Sequence, residues 1–273
     1  MVIEKLIQWI DQGAIPTPET FVGTVKLRCL LRSWNLYKAI NLLLKADLWE
    51  DAAIVCRAMF ELLINLEEVL RDDRHAEARA DEYLRFQILT EYVHRAKRTE
   101  YNIDTGRLPE ADADQIAKLD EVMRRTFPEF VEKPKKKGRP RWRRSWSGMQ
   151  IAQLAQRSRN PLRSTEYDVM YRWFCEFAHS APLAVMDGAD LAAFKVGDDI
   201  VWPRKDLKAI ERRQRDNLLE VLSMATGWLL QILSLVESVI PSYDPQWTHE
   251  VTDRVLKLHL VDMPPPRLEL PSE

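Results

Sequence analysis

Apolar residues recur along this chain mostly at helical spacing, and one stretch is apolar on nearly every face. Asp51 to Asp72 reads as a single long helix whose middle runs Ala52-Ala53-Ile54-Val55-Cys56-Arg57-Ala58-Met59-Phe60-Glu61-Leu62-Leu63-Ile64-Asn65-Leu66. A helix that is hydrophobic all round belongs in a core. Three polar residues interrupt it, Arg57, Glu61 and Asn65, spaced i, i+4, i+8 and therefore stacked along one narrow stripe. Left unpaired in a core, each would cost on the order of several kcal/mol. They are expected either to pair with one another and a neighbouring helix or to line a pocket.

The same pattern predicts helices along the rest of the chain. Met1 to Gln12 carries Val2, Ile3, Leu6, Ile7 and Ile10 on one face and stops at Gly13. Thr17-Pro18-Glu19 has the cap, the proline and the acid of a helix start, and the helix that follows extends to about Lys45. Asp47 to Asp51 is a tight connection into the central helix, and Asp72-Asp73-Arg74 ends it. A long charged amphipathic helix spans His75 to about Tyr101, and another spans Glu110 to Phe127. Ser147-Gly148-Met149-Gln150 resembles a capping box opening a short helix to about Gln156. Thr165 to about Val185, Asp206 to about Ile240, and Asp244 to about His259 complete the helices. Phe194-Lys195-Val196 and Ile200-Val201-Trp202 flank Gly197-Asp198-Asp199 and predict the one β-hairpin. The expected fold is all-α: a bundle of about seven to nine helices with one small hairpin near 194–202. It forms a single domain over residues 1–260 with a basic loop at 133–146, followed by a proline-rich tail at 261–273.

Composition agrees with helix over sheet, with only 8 glycines in 273 residues. The apolar share of 46% and charged share of 30% are those of a soluble globular protein. A formal net charge of −2 provides no global attraction to nucleic acid or membrane, so any such affinity must come from a local patch. Cys29, Cys56 and Cys175 lie far apart in apolar helical patterns and read as buried thiols in a reducing compartment. The longest uncharged run, Val221 to Val236, is short for a bilayer span. The expected location is cytoplasmic, with no membrane partner.

Candidate chemistry centres on the helix from Thr165. On a helical wheel Asp168, Arg172, Cys175, Glu176 and His179 share one sector, while Val169, Met170, Tyr171, Trp173, Phe174, Phe177 and Ala178 fill the remainder. The stripe is either a thin solvent-facing strip or an internal polar site able to meet the Arg57/Glu61/Asn65 stripe. A buried ion-pair network that only fixes helix register accounts for the same residues. The five histidines, His75, His94, His179, His249 and His259, are not paired at zinc spacing, and no phosphate-binding glycine loop is present. No metal or other cofactor is expected.

Arg172-x6-His179 is similar to the Arg-x4-6-His motif of HEPN-type ribonucleases, all-helical proteins that include toxins and antiviral effectors. That resemblance implies metal-independent RNA cleavage, usually by dimers with facing motifs, and in some cases a neutralising partner protein. His179 would take the 2′-hydroxyl proton, and Arg172 would stabilise charge on the phosphate. Arg57, Glu61 and Glu176 would position them. Arg254-x4-His259 fits the same motif in the last helix. A second resemblance covers residues 25 to 240. Arg57-Ala-Met-Phe-Glu61, Trp146-Ser-Gly148 and the stretch from Tyr171 to His179 look like the Arg-x3-Glu, Trp-x-Gly and late-His landmarks of a large uncharacterised family of bacterial helical proteins. It implies fold and location rather than an activity.

The basic loop, Lys133 to Arg144, holds eight basic residues in twelve. Its segment Lys136-Lys137-Gly138-Arg139-Pro140-Arg141 resembles an AT-hook, a minor-groove binder. Lys135, Lys136, Lys137, Arg139, Arg141, Arg143 and Arg144 would attract a nucleic-acid backbone, RNA favoured and DNA an option, and Trp142 and Trp146 would stack on bases. A solvated connector of like charges is the other reading of this loop. For the whole chain the leading expectation is a metal-independent endoribonuclease. The alternative is a non-enzymatic helical module that binds nucleic acid or a protein.

Overall fold

The computed structural model describes residues 18–108, 111–132, 140–178, 194–196, 199–201 and 207–239, with backbone alone at 111–113, 194–196, 199–201 and 207–211. The expected first helix, the last helix with Arg254 and His259, and the 261–273 tail lie outside the described residues. So do Lys135, Lys136, Lys137, Arg139 and His179.

The chain folds as an all-α bundle. Helix α1 (Phe21–Lys45) starts one turn later than the Thr17-Pro18-Glu19 signal suggests. Thr20 is its N-cap, and its hydroxyl accepts from the Gly23 N–H at 3.0 Å. Asp47 turns the chain in the left-handed region, at φ 59°, a conformation aspartate tolerates better than most residues. The central helix α2 (Trp49–Val69) follows, with Glu50 and Asp51 in its first turn, where the helix dipole favours acids. Asp72 caps α3 (Asp73–Asp104) by accepting from the His75 N–H. After α4 (Ala111–Thr126), a 3-10 turn at Pro128–Phe130 leads to the short strand β1 (Val131–Glu132). This strand pairs antiparallel with β2 (Arg141–Trp142), a ladder not anticipated on either side of the basic run.

The short helix α5 (Ile151–Arg157) begins at Gln150 rather than at Ser147, and the Gln150 N–H donates to the Gln153 side chain at 2.9 Å. The helix expected from Thr165 is broken in character but continuous in path. It comprises α6 (Arg163–Glu166), a π-helical turn (Tyr167–Tyr171) and α7 (Arg172–Ala178). The predicted hairpin is present as β3 (Phe194–Val196) and β4 (Asp199–Val201), with Phe194 opposite Val201. The long helix α8 (Leu207–Val236) ends the described chain with a further 3-10 turn at Glu237–Val239.

The core is built around α2, as its apolar circumference requires. Its Ala52, Cys56, Met59, Phe60, Leu63 and Leu66 are fully buried against α1, α8 and α7. Phe60 meets Tyr171 and Trp228 through their rings, and Trp228 also takes the edge of Phe174. Helix α8 is long and apolar enough by composition to cross a membrane. Its Val221, Ala225, Trp228, Ile232 and Val236 are buried in the bundle core. A separate small cluster of Leu89, Phe127 and Phe130 anchors α4 and the β1–β2 hairpin to α3.

Candidate functional site

The polar stripe of α2 is paired, and its partners come from α7's end of the π-turn and from the segment before α5. Arg57 Nε donates to Glu61 Oε1 at 3.1 Å, one helical turn along. The Tyr171 hydroxyl donates to the same carboxylate oxygen at 2.7 Å and accepts from Arg57 Nε at 3.3 Å. The guanidinium also lies 5.3 Å from the centre of the Tyr171 ring. Asn65 donates to the Glu61 carbonyl at 2.7 Å, and its side-chain oxygen accepts the Trp146 indole N–H at 2.6 Å. Thus the Arg-x3-Glu and Trp-x-Gly landmarks, remote in sequence, join through Asn65.

The stripe is not a sealed core feature. The Arg57 and Glu61 side chains keep 26% and 36% of their exposure, so the pair sits at the edge of the bundle. The phenol pKa of Tyr171 is pushed above the usual tyrosine range, first by burial and then by the neighbouring Glu61 carboxylate. Burial also raises the Cys175 thiol, while Arg57 pulls it back, with a smaller pull from Arg172. Arg57, Glu61, Tyr171, Cys175 and Arg172 therefore share one electrostatic neighbourhood.

The contact from the late helix is made by Tyr171, not by the predicted polar sector. Asp168 and Arg172 are exposed and Glu176 is half-buried, while Met170, Tyr171, Phe174 and Phe177 face the core. In the described part of that stripe Asp168 and Arg172 face solvent, while Cys175 and Glu176 are half-buried and Cys175 lies in the neighbourhood of Arg57 and Tyr171. A π-turn contains more residues per turn than an α-helix, so it rotates the residues after it out of step with a uniform wheel. Single π-turns of this kind recur at functional sites.

A second polar network was not legible in the sequence. Arg163 is 1% exposed. Its guanidinium holds Glu67 through both nitrogens, Nε to Oε2 at 3.1 Å and Nη2 to Oε1 at 2.5 Å. It also donates to Glu166 and, at 2.5 Å, to Gln231 of α8. Ser158 adds a bond to Glu67 at 2.8 Å. This network ties α2, α6 and α8 together and leaves the buried guanidinium well supplied with acceptors. Arg163 and Glu166 lie three apart, a spacing too common in a chain that is 30% charged to single them out.

The described members of the basic loop have local partners. Arg141 pairs with Glu132 across the hairpin at 3.1 Å, and Arg143 lies 3.6 Å from Glu82. The Trp142 indole donates to Asp120 at 3.2 Å, and the Arg124 guanidinium covers its ring at 4.8 Å. Arg144 is exposed. Trp146 corrects the expectation that it stacks on bases: its ring is 4% exposed, packed edge-on against Tyr83 and tied to Asn65.

A family model described as a family of unknown function matches residues 24–190, more than half of the chain and the span that holds all three landmarks. No curated protein and no solved structure matches.

Proposed function

From the premise that this chain belongs to the DUF5677 family, whose function is unknown, we propose that it is a metal-independent endoribonuclease of HEPN-like type, a toxin or antiviral effector acting in the cytoplasm. The observation that carries the reading is the Arg57–Glu61–Tyr171 constellation, a charged pair bridged by a phenol and left open at the bundle edge. The exposed Arg172 directly follows that phenol in sequence.

The roles follow from chemistry. Arg172 carries a planar, permanently charged fork suited to a phosphate, and its exposure leaves it accessible to a strand. His179, seven residues further on, would supply an imidazole base for the 2′-hydroxyl. Attack of that oxygen on the adjacent phosphorus breaks the bond to the 5′-oxygen, which gains a proton in place of the one the 2′-hydroxyl lost and leaves as a 5′-hydroxyl; the other product is a 2′,3′-cyclic phosphate, and no oxidant, reductant or water is consumed. Glu61 fixes Tyr171 and Arg57 at the base of the site, and Glu176 lies one turn beyond Arg172. A homodimer would bring two such motifs together, the cations of the 133–144 loop would gather the strand, and a partner protein would neutralise the activity.

The test is incubation of the full chain with labelled RNA in EDTA. Cleavage by the wild type, lost in His179→Ala and Arg172→Ala with folding retained, is the expected result. Binding without cleavage at any concentration would favour the alternative, a helical nucleic-acid-binding module.

A further inference from the structure

A cleft of about 320 Å³ opens at the C-terminal end of α2, beside the Arg163 network, with which it shares Glu67 and Ser158. It is at the small end of the range of roughly 300–1,000 Å³ typical of ligand sites. Its walls combine the arginines Arg71, Arg157 and Arg159 with the apolar side chains of Leu70, Leu154 and Leu235, and with Glu67, whose carboxylate Arg163 already holds. Glu68 forms part of the lining and is 6% exposed.

The arrangement of charge is unusual for a structural ion pair. Arg71 Nη1 and Arg157 Nη2 each stand 3.7 Å from the same oxygen, Glu68 Oε1, so the two nitrogens are no more than twice that distance apart. At 3.7 Å neither is a hydrogen bond. Two guanidinium groups thus converge on one carboxylate without closing on it. Arg157 otherwise donates to the Met149 sulfur, a weak acceptor, and both arginines stay partly exposed, at 42% for Arg157 and 34% for Arg71. Contrast Arg163, one network away, whose fork is filled by carboxylates and an amide.

We propose that this cleft binds a nucleoside monophosphate unit, with its phosphate held between Arg71 and Arg157 and its base against the leucine wall. Two convergent guanidinium groups suit a phosphate monoester, which carries about −1.5 to −2 charges at neutral pH and offers three oxygens to their forks. Three leucines beside them suit the flat apolar face of a base. Glu68 opposes the incoming anion and gates the site: a ligand must draw both arginines away from it. The monoester is either a free nucleotide or the phosphorylated end of a strand. The site stands apart from Glu61 by seven residues of α2, about 10 Å along the helix axis, and does not depend on the proposed cleavage chemistry.

Calorimetric titration of the full chain with adenosine 5′-monophosphate, adenosine and inorganic phosphate tests this. The monophosphate is expected to bind more tightly than either fragment. Arg71→Ala and Arg157→Ala, both at partly exposed positions, should each weaken it by about tenfold or more, the loss expected for a charge-assisted hydrogen bond. Glu68→Gln should tighten it, because the competing carboxylate charge is gone. A 5′-phosphorylated deoxyoligonucleotide, which has no 2′-hydroxyl to react, is compared with its 5′-hydroxyl form; a preference for the phosphorylated strand assigns the strand end, and indifference assigns the free nucleotide. Unchanged affinity in His179→Ala separates this site from the cleavage reading. No binding of the monophosphate, or equal binding by wild type and both arginine variants, would overturn the proposal.

Discussion

Arg163→Ala is the substitution expected to damage this fold most. The guanidinium is buried, grips Glu67 at two points, and reaches Glu166 and Gln231. Truncation removes the cation but leaves two carboxylates, 16% and 19% exposed, facing the cavity without it. Breaking a buried pair by deleting one partner costs about 3–5 kcal/mol, because the remaining charge is stranded. Partial exposure of the two glutamates argues for the lower part of that range, and loss of the tie to α8 argues against a smaller value. In a chain of this size the melting temperature should fall on the order of 10 °C. The assay is urea denaturation followed by tryptophan fluorescence, with Glu67→Gln and Arg163→Ala/Glu67→Gln completing a cycle. The double variant should recover part of the loss, since one of the two stranded charges is gone while Glu166 remains. A loss below about 1 kcal/mol for Arg163→Ala, the magnitude of an exposed ion pair, would refute the reasoning.

Other predictions follow from the same contacts. Tyr171→Phe removes one bond to Glu61 and one from Arg57 while leaving that partly solvated pair intact, so it should cost about 1–2 kcal/mol in denaturant titrations. An unchanged midpoint would show that the phenol is solvated instead. Asp72 is held down to about 2 by hydrogen bonds from His75 and Arg79. Its folded value lies below its unfolded value, so its stabilisation is present above the ordinary carboxylate range and is lost as pH falls toward 2. Asp72→Asn should flatten the acid limb of stability against pH, and an unaltered limb would count against the cap network. Replacing Lys135, Lys136, Lys137, Arg139, Arg141, Arg143 and Arg144 by Ser should weaken nucleic-acid binding and reduce its slope against salt. Equal slopes would leave the segment as a connector.

How far these features could be read in advance depended on periodicity. The α2 stripe was legible because Arg57, Glu61 and Asn65 repeat at uniform helical spacing, and that spacing survives in the structure. What a wheel cannot supply is partners, so Trp146 was read as a free stacking ring although its indole closes on Asn65. Tyr171 falls in the apolar arc and is buried as that arc requires, but a wheel does not show that its hydroxyl meets Glu61 and Arg57. Half-exposure of the Arg57–Glu61 pair depends on tertiary packing that an all-apolar helix does not specify. The β1–β2 ladder has two residues on each strand, too short to show alternation. Arg163 precedes the predicted start of its helix at Thr165, and nothing local distinguishes it from a solvated loop arginine.

The most direct test of the central claim is single-turnover cleavage of labelled RNA in EDTA by wild type, His179→Ala and His259→Ala, each first shown to be folded by its melting curve. The account predicts a rate that falls at acid pH as the imidazole protonates, drops by roughly 100- to 10,000-fold in His179→Ala, and is unchanged in His259→Ala. Absence of cleavage by the folded wild type, or its loss only in His259→Ala, would contradict it.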